Sequence, residues 1–208
     1  MSTESYNFFD VTTRGGLPTI LNPDGVHLTL IGHERRFALL PYPRLVPVPI
    51  WRAELDAEHP MTVMWPDGVC ARMMPVMSKT DGGSVPFTVQ WLFATLAWSY
   101  YLLAYLMHDS GYQGADGGGP EGGLWVREPC HSEYHFRACR RDEIDELLRQ
   151  LVLVHPDQFG ADGQRSAHRS QAQRELDSAR IFATVSWFSG GPWKNWRKIG
   201  SKTQGNAG

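Results

Sequence analysis

Residues 87–107 read FTVQWLFATLAWSYYLLAYLM, an apolar run without a charged side chain. This run is long enough to span a membrane. However, Trp91 and Trp98 lie inside it, whereas membrane spans concentrate Trp and Tyr near the two lipid interfaces. The run also ends directly in the ionisable pair His108 and Asp109. We therefore predict a buried central helix over Phe87–Met107, with a membrane segment as the alternative.

Upstream of this run, the chain consists of short apolar segments separated by Pro and Gly. Three of them, His27–Ile31, Arg36–Leu40 and Val46–Ile50, are too short for an ordinary helix and predict strands. The Pro-rich stretch Pro41–Pro49 should be extended or lie at a sheet edge, because proline cannot donate to a strand ladder.

A hairpin is predicted next. Met61–Trp65 and Val69–Met77 both read as strands, and Pro66-Asp67-Gly68 lies between them. The Asp-Gly pair supplies the positive-φ positions that such a turn needs.

Two more helices are predicted downstream, at Cys139–Val154 and Ser166–Phe188, after a Gly-rich loop over Gly111–Gly123. The apolar stripe predicted for the last helix consists of Leu176, Ala179, Ile181, Phe182, Val185 and Phe188. The predicted fold class is α+β, with an N-terminal β-rich region containing hairpins followed by a small bundle of about three helices. The predicted divisions are an N-terminal extension (1–60), an α+β domain (61–200) and a flexible tail (201–208).

Composition excludes several functional classes. The chain has 208 residues, a net charge of -2, 42% hydrophobic and 20% charged residues, so neither a disordered protein nor a basic nucleic-acid binder is expected. Three cysteines do not form a disulfide framework. The N-terminal residues resemble no secretory signal.

The sharpest chemical motif is His108-Asp109-Ser110-Gly111-Tyr112 at the end of the apolar run. At helical spacing, His108 and Tyr112 share a face, and Asp109 is rotated away by about 100°. An imidazole in dry surroundings beside a carboxylate that can hold a cation is typical of a general base acting on water. The alternative is structural, with His108 capping the helix C-terminus.

Two acidic residues elsewhere are candidates for the same site. Asp81 opens the loop Asp81-Gly82-Gly83-Ser84, where carboxylate and carbonyl oxygens suit a hard cation, although an ordinary turn before the helix explains the sequence equally. Asp145 lies near the inward stripe of the second predicted helix and needs a partner if buried. We predict that His108 is that partner, within hydrogen-bond reach.

A Cys/His cluster is the remaining candidate. If the segment is helical, Cys139, His131 and His135 fall on one face together, which suits zinc, and Cys130 is adjacent. The alternative is a surface or packed cluster without a metal.

The motifs together resemble a known family. The chain carries, in order, Thr80-Asp81-x-x-Ser84-Val85-Pro86, His108-Asp109-x-x-Tyr112 and Arg141-x-x-x-Asp145, followed by Ala183-x-Val185, Gly191 and Trp193. This order resembles the phage-associated domain-of-unknown-function family 1353 over about Val63–Trp196. The resemblance implies a bacteriophage protein without a settled activity, located in the virion or in the cytoplasm of the infected host before assembly.

The site itself also resembles the bacterial branch of the phospholipase A2 superfamily. That resemblance implies His108 as the base, Asp109 and Asp81 as calcium ligands, Asp145 as the carboxylate that orients the histidine, and Tyr112 as its hydrogen-bond partner. The cysteine pairs that staple such enzymes are absent from the sequence.

Two hypotheses follow for the function. The first is a structural component of the virion, in the tail or baseplate region, whose partners are other phage structural proteins or further copies of itself. Its docking surface would be the Trp-rich end Trp193–Lys198. The second is an envelope-acting hydrolase, acting on lipid or cell wall, with His108 as the water-activating base and with calcium as its cofactor. Nucleic acid is not an expected partner, and a membrane span is not expected.

Overall fold

The structure, a computed structural model, describes residues 7–38, 44–80, 101–114, 121–155, 170–188 and 194. Several sequence predictions lie outside these residues. They are the helix over 87–100, the metal ligand Asp81, the core of the Gly-rich loop at 115–120, and the tail with most of the Trp-rich end, including Trp193 and Trp196.

The described elements are eight strands and three helices, and they form an α+β arrangement, as predicted. The strands are β1 (Thr19–Leu21), β2 (Val26–Ala38), β3 (Arg44–Leu55), β4 (Thr62–Met64), β5 (Cys70–Arg72), β6 (Val76–Thr80), β7 (Gly123–Arg127) and β8 (His135–Ala138). The helices are α1 (Leu102–Gln113), α2 (Arg141–Val154) and α3 (Gln171–Phe188).

Two antiparallel sheets hold the strands. The five-stranded sheet has the order β1-β4-β5-β7-β8, and the three-stranded sheet has the order β2-β3-β6. The predicted turn and pairing are confirmed by β4 and β5, with Gly68 at φ 85°. The predicted second strand, Val69–Met77, is wrong beyond Arg72, because β5 ends there and Val76 begins β6 of the other sheet. The predicted boundary at residue 60 stays a prediction, and the hydrogen bonds between β1 and β4 cross it.

The long ribbon of β2 and β3 differs in one respect from the prediction. The predicted strands His27–Ile31 and Arg36–Leu40 belong to a single strand, β2, that bends at a bulge between Leu30 and Gly32. The Pro-rich part of β3 is extended, as predicted. Among the described strands it pairs with β2 alone, since β6 reaches only the stretch from Trp51 to Glu54. An edge of this kind tolerates proline, because a nitrogen that cannot donate breaks no ladder where no strand is paired.

Helix α1 is the described part of the predicted central helix, and all its residues are buried. It packs against α2 and β7, and Gly111 allows close approach to α2 because a Cβ there would lie 2.7 Å from Ile144 Cδ1. The helix continues to Gln113 and ends at Gly114 (φ 78°). His108 is therefore an interior residue, and its interpretation as a C-terminal cap is wrong.

The apolar stripe predicted for α3 is partly wrong. Ile181 and Val185 are buried as expected, but Leu176 is 49% exposed. Asp177 and Ser178 are buried instead, because each has a hydrogen-bond partner in a neighbouring helix segment. The spacing of hydrophobic residues does not reveal such polar partners, so it could not predict that Asp177 and Ser178 are buried.

An N-terminal segment, residues 7–16, docks onto α2 and the hairpin. Phe9 stacks on Trp65 with ring centroids 5.3 Å apart, and Gln150 of α2 links both: it donates to Phe9 O at 2.6 Å and accepts from Trp65 Nε1 at 3.3 Å. Phe8 N donates to Glu143 at 3.0 Å. Helix α2 therefore satisfies two backbone groups of a segment more than a hundred residues away, one from its first turn and one from its middle.

Within the described residues, no helix has the length and the apolar character needed to cross a membrane.

Candidate functional site

The site lies where α1 meets α2. His108 Nε2 is 3.1 Å from Asp145 Oδ1, which confirms the predicted contact. The Tyr112 hydroxyl donates to the same Asp145 oxygen, and the rings of His108 and Tyr112 lie 4.2 Å apart. All three side chains are buried. The two helices thus bring together the three residues predicted to be catalytic.

The local sequence explains this geometry. His108 and Tyr112 are one helical turn apart, so both point from α1 toward α2. Asp145 lies between Ile144 and Leu148 on the buried stripe of α2. A carboxylate only accepts, so the proton shared with His108 belongs to the imidazole Nε2.

The second ring nitrogen has different surroundings. His108 Nδ1 is buried, has no hydrogen-bond partner among the residues described, and lies 3.8 Å from Asp109 Oδ1. Asp109 is held on its other side by the Thr80 hydroxyl at the end of β6. An unpaired buried nitrogen costs about 1–3 kcal/mol, so its presence needs a physical explanation.

The pKa of His108 depends on its burial and on the two neighbouring carboxylates. Burial has the largest single influence and lowers this pKa, but the hydrogen bond to Asp145 and the nearby carboxylates of Asp109 and Asp145 together outweigh burial, so the pKa lies above the usual 6.5. His108 therefore binds a proton more readily in the folded chain than in the unfolded one.

This shift predicts how stability depends on pH. The stabilisation from protonated His108 is fully present below about pH 6.5 and is lost as the pH rises through the raised pKa of the folded state. Between these two values the free energy of unfolding should fall by up to about 1.4 kcal/mol per pH unit. Urea unfolding of the wild type and of His108→Gln at a series of pH values checks this. The free energy of unfolding of the wild type minus that of His108→Gln should fall as the pH rises above about 6.5. A difference that does not change with pH would contradict the prediction.

A second polar cluster lies at the start of α1 and was not predicted. The Tyr101 hydroxyl donates to Asp177 at 2.8 Å, and Leu103 N donates to His155 Nε2 at 3.1 Å. Tyr105, between the two clusters, has its pKa raised by burial and then by the charge of Asp109. In the sequence, Tyr101 stands out only as a hydroxyl-bearing residue inside an apolar run, which does not reveal its partner Asp177.

The metal predictions have different outcomes. Asp81 lies outside the described residues. Asp109 is buried at the site, next to Thr80, whose role was not predicted although it opens the Thr-Asp motif. The helical face of His131, His135 and Cys139 is wrong, because residues 135–138 form β8. In a strand, four positions span about 13 Å, which separates Cys139 from His135.

Cys139 is also chemically different from Cys130. It is buried, and burial raises its pKa to about 12, whereas Cys130 is exposed.

Comparison of the chain with protein-family models, with curated proteins and with solved structures finds no match, so the site must be interpreted from its own geometry.

Proposed function

We propose that this protein is a hydrolase that cleaves ester bonds of lipids in a bacterial envelope, with His108 as its general base. The observation that carries the proposal is the contrast between the two ring nitrogens of His108. Asp145 fixes Nε2, whereas Nδ1 is buried and unpaired among the described residues. A histidine held in this way has its lone pair on Nδ1, ready to accept a proton.

The chemistry follows from these positions. His108 Nδ1 takes a proton from water, and the resulting hydroxide attacks the ester carbonyl carbon. Asp145 stabilises the imidazolium that forms, and the hydroxyl of Tyr112 holds the carboxylate in place. When the tetrahedral intermediate collapses, the carbon–oxygen bond to the alcohol breaks, and the proton passes from Nδ1 to the leaving oxygen. The products are a carboxylic acid and an alcohol.

Direct attack by water is favoured over a covalent intermediate. Among the described residues, His108 makes a hydrogen bond to Asp145 but to no serine, threonine or cysteine. A nucleophile in such a triad is normally within hydrogen-bond reach of its base. Direct attack is also the chemistry implied by the resemblance to bacterial phospholipase A2.

The proposal includes calcium, with Asp109 as one of its ligands. When bound, calcium would polarise the ester carbonyl and offset the charge that develops on its oxygen. Asp109 offers a buried carboxylate 3.8 Å from His108 Nδ1, whereas calcium takes about six to eight oxygen ligands. The described residues thus supply one ligand of the set, and no step above uses the ion.

Calorimetric titration tests this part separately. Binding at millimolar calcium should be seen with the wild type and lost in Asp109→Asn, because a neutral amide holds calcium less well than a carboxylate. Asp142→Asn, which changes an exposed carboxylate on α2, should leave binding unchanged. An absence of binding by the wild type would leave a hydrolase that works without calcium.

The burial of the His108 site favours a second candidate function, that of a structural protein. His108, Asp109 and Asp145 are each at most 3% exposed, so a lipid reaches Nδ1 only if the groups over it separate. A network closed in this way would suit a structural component of a phage tail or baseplate, where it would fix the helix pair. The order of motifs resembling family 1353 supports that origin.

One experiment separates the two functions. The purified full chain is incubated with phosphatidylglycerol and phosphatidylethanolamine vesicles, with and without calcium, and the lipids are analysed by mass spectrometry. Release of fatty acid and lysophospholipid is expected. Intact lipids under every condition, together with stoichiometric presence of the chain in purified virions, would overturn the hydrolase in favour of the structural component.

A further inference from the structure

The loop between β7 and β8 brings three different kinds of metal ligand together on the protein surface. Ligand atoms of Glu128, Cys130 and His131 all lie within 4.8 Å of one another. Glu128 is half-buried, and the other two are exposed. This group lies outside the candidate hydrolase site, and a metal bound there would be a property additional to the proposed function.

The distances between these atoms fit one metal geometry. Cys130 Sγ lies 3.5 Å from His131 Nδ1, and His131 Nδ1 lies 3.4 Å from Glu128 Oε2. In a tetrahedral zinc site with bonds of about 2.3 Å to sulfur and about 2.0–2.2 Å to nitrogen and oxygen, the sulfur–nitrogen edge is about 3.5 Å and the nitrogen–oxygen edge is about 3.4 Å. Two edges of a zinc tetrahedron are therefore already formed.

The backbone holds the three residues in this arrangement. His131 N donates to Glu128 O at 2.9 Å, which closes a tight turn. Pro129 lies inside the turn with a fixed φ, and its ring packs beside Gly68, where a Cβ would come within 3.2 Å of it. Just beyond the turn, His135 at the start of β8 pairs with Val126 near the end of β7. Because the loop is ordered in advance, metal binding has little conformational entropy to overcome.

The chemistry of the ligands selects the metal. A thiolate, an imidazole and a carboxylate together suit zinc, whereas calcium and magnesium prefer oxygen ligands alone. We propose that Glu128, Cys130 and His131 form a zinc site at the β7–β8 turn, with water in the fourth position. This set keeps part of the cluster predicted from the sequence, replaces Cys139 with Glu128, and leaves His135 next to the site, its ring 6.0 Å from that of His131.

Cobalt binding by the full-length reduced chain tests the proposal, because a thiolate bound to cobalt(II) gives a charge-transfer absorption band. The wild type should bind one equivalent of cobalt with this band, and zinc should displace it. The band reports on Cys130, since Cys70 and Cys139 are both buried. Absence of the band in the wild type would overturn the proposal.

Substitutions then identify the ligands by competition for zinc with a chromophoric chelator. Loss of an outer-shell partner alone weakens zinc binding by about 10–100-fold, so Cys130→Ser and His131→Gln should each weaken it by at least about 100-fold. Glu133→Gln, on the same loop, should bind like the wild type. Moving the thiol by combining Cys130→Ser with Ser132→Cys should not restore affinity. Zinc affinity of Cys130→Ser within about threefold of the wild type would overturn the site, provided that thermal unfolding shows both proteins folded.

Discussion

Replacing His108 with glutamine should lower the rate of lipid hydrolysis by about 10²–10⁴-fold, the usual contribution of a general base. Glutamine keeps an amide that can donate to Asp145, so the helix pair retains a hydrogen bond at this point. What it loses is the titratable nitrogen that accepts the proton from water. The measurement is the initial rate of fatty-acid release from vesicles at equal protein concentration.

The matched control is His155→Gln. His155 is another buried histidine that contacts α1, where it accepts from Leu103 N, and glutamine can accept the same bond through its carbonyl. The control therefore makes the same chemical change away from Asp145, and its rate should stay within about threefold of the wild type. Equal losses in both variants would mean that the loss reflects disturbed packing and that His108 is not the base.

The pH dependence distinguishes a base from a structural group. Hydrolysis requires neutral His108, so the rate should rise with pH through an apparent pKa above 6.5. In Asp145→Asn the carboxylate that supports the imidazolium is gone, and the rising limb should move to lower pH while the maximal rate falls. If the rising limb of the pH–rate profile stays at the same pH in Asp145→Asn, a group other than His108 is responsible for it.

A large loss of stability is expected from Gly123→Ala. Gly123 pairs with Ala138 where β7 meets β8, and a Cβ there would collide with the backbone oxygen of Arg137 and lie 2.7 Å from Phe136 Cζ. Because a backbone oxygen inside a ladder cannot rotate away, the two strands must separate. We expect a loss of about 3 kcal/mol, which lowers the thermal midpoint by about 6–12 °C in a chain of this size.

Gly111→Ala is the matched comparison for this glycine. A Cβ at Gly111 would meet atoms of the Ile144 side chain at 2.7 and 2.9 Å, and a side chain can rotate. Alanine also favours a helix by about 1 kcal/mol over glycine. Gly111→Ala should therefore cost less than half as much as Gly123→Ala in thermal unfolding. The opposite order would mean that β7 and β8 approach each other less closely than described.

The sequence predicted best those features that depend on neighbours along the chain. The β4–β5 hairpin follows from Asp67 and Gly68, because the turn is made by local chemistry: Val69 N donates to the Asp67 side chain. The contact of His108 with Asp145 could also be predicted, since each is a polar residue predicted on an inward-facing part of its helix and each needs a partner when buried.

Other features depend on contacts that leave no local pattern. Nothing near Thr19–Leu21 indicates that it pairs with β4, and nothing near Gly123 places β7 beside β5. The exposed position of Leu176 on α3 follows from the burial of Asp177, which the Tyr101 hydroxyl satisfies from 76 residues away. Registers and polar pairs of this kind are set by the whole fold.

The docking of the N-terminal segment on α2 also determines when the molecule can be completed during synthesis. Phe9 lies 141 residues before Gln150, to which its carbonyl is bonded, and Phe8 lies 135 residues before Glu143. At about 5–20 residues added per second, a ribosome makes Gln150 roughly 7–28 s after Phe9. During this interval two phenylalanine side chains that end up buried have no α2 to cover them. The contacts of Phe8 and Phe9 with α2 can therefore form only late in synthesis, after α2 has emerged.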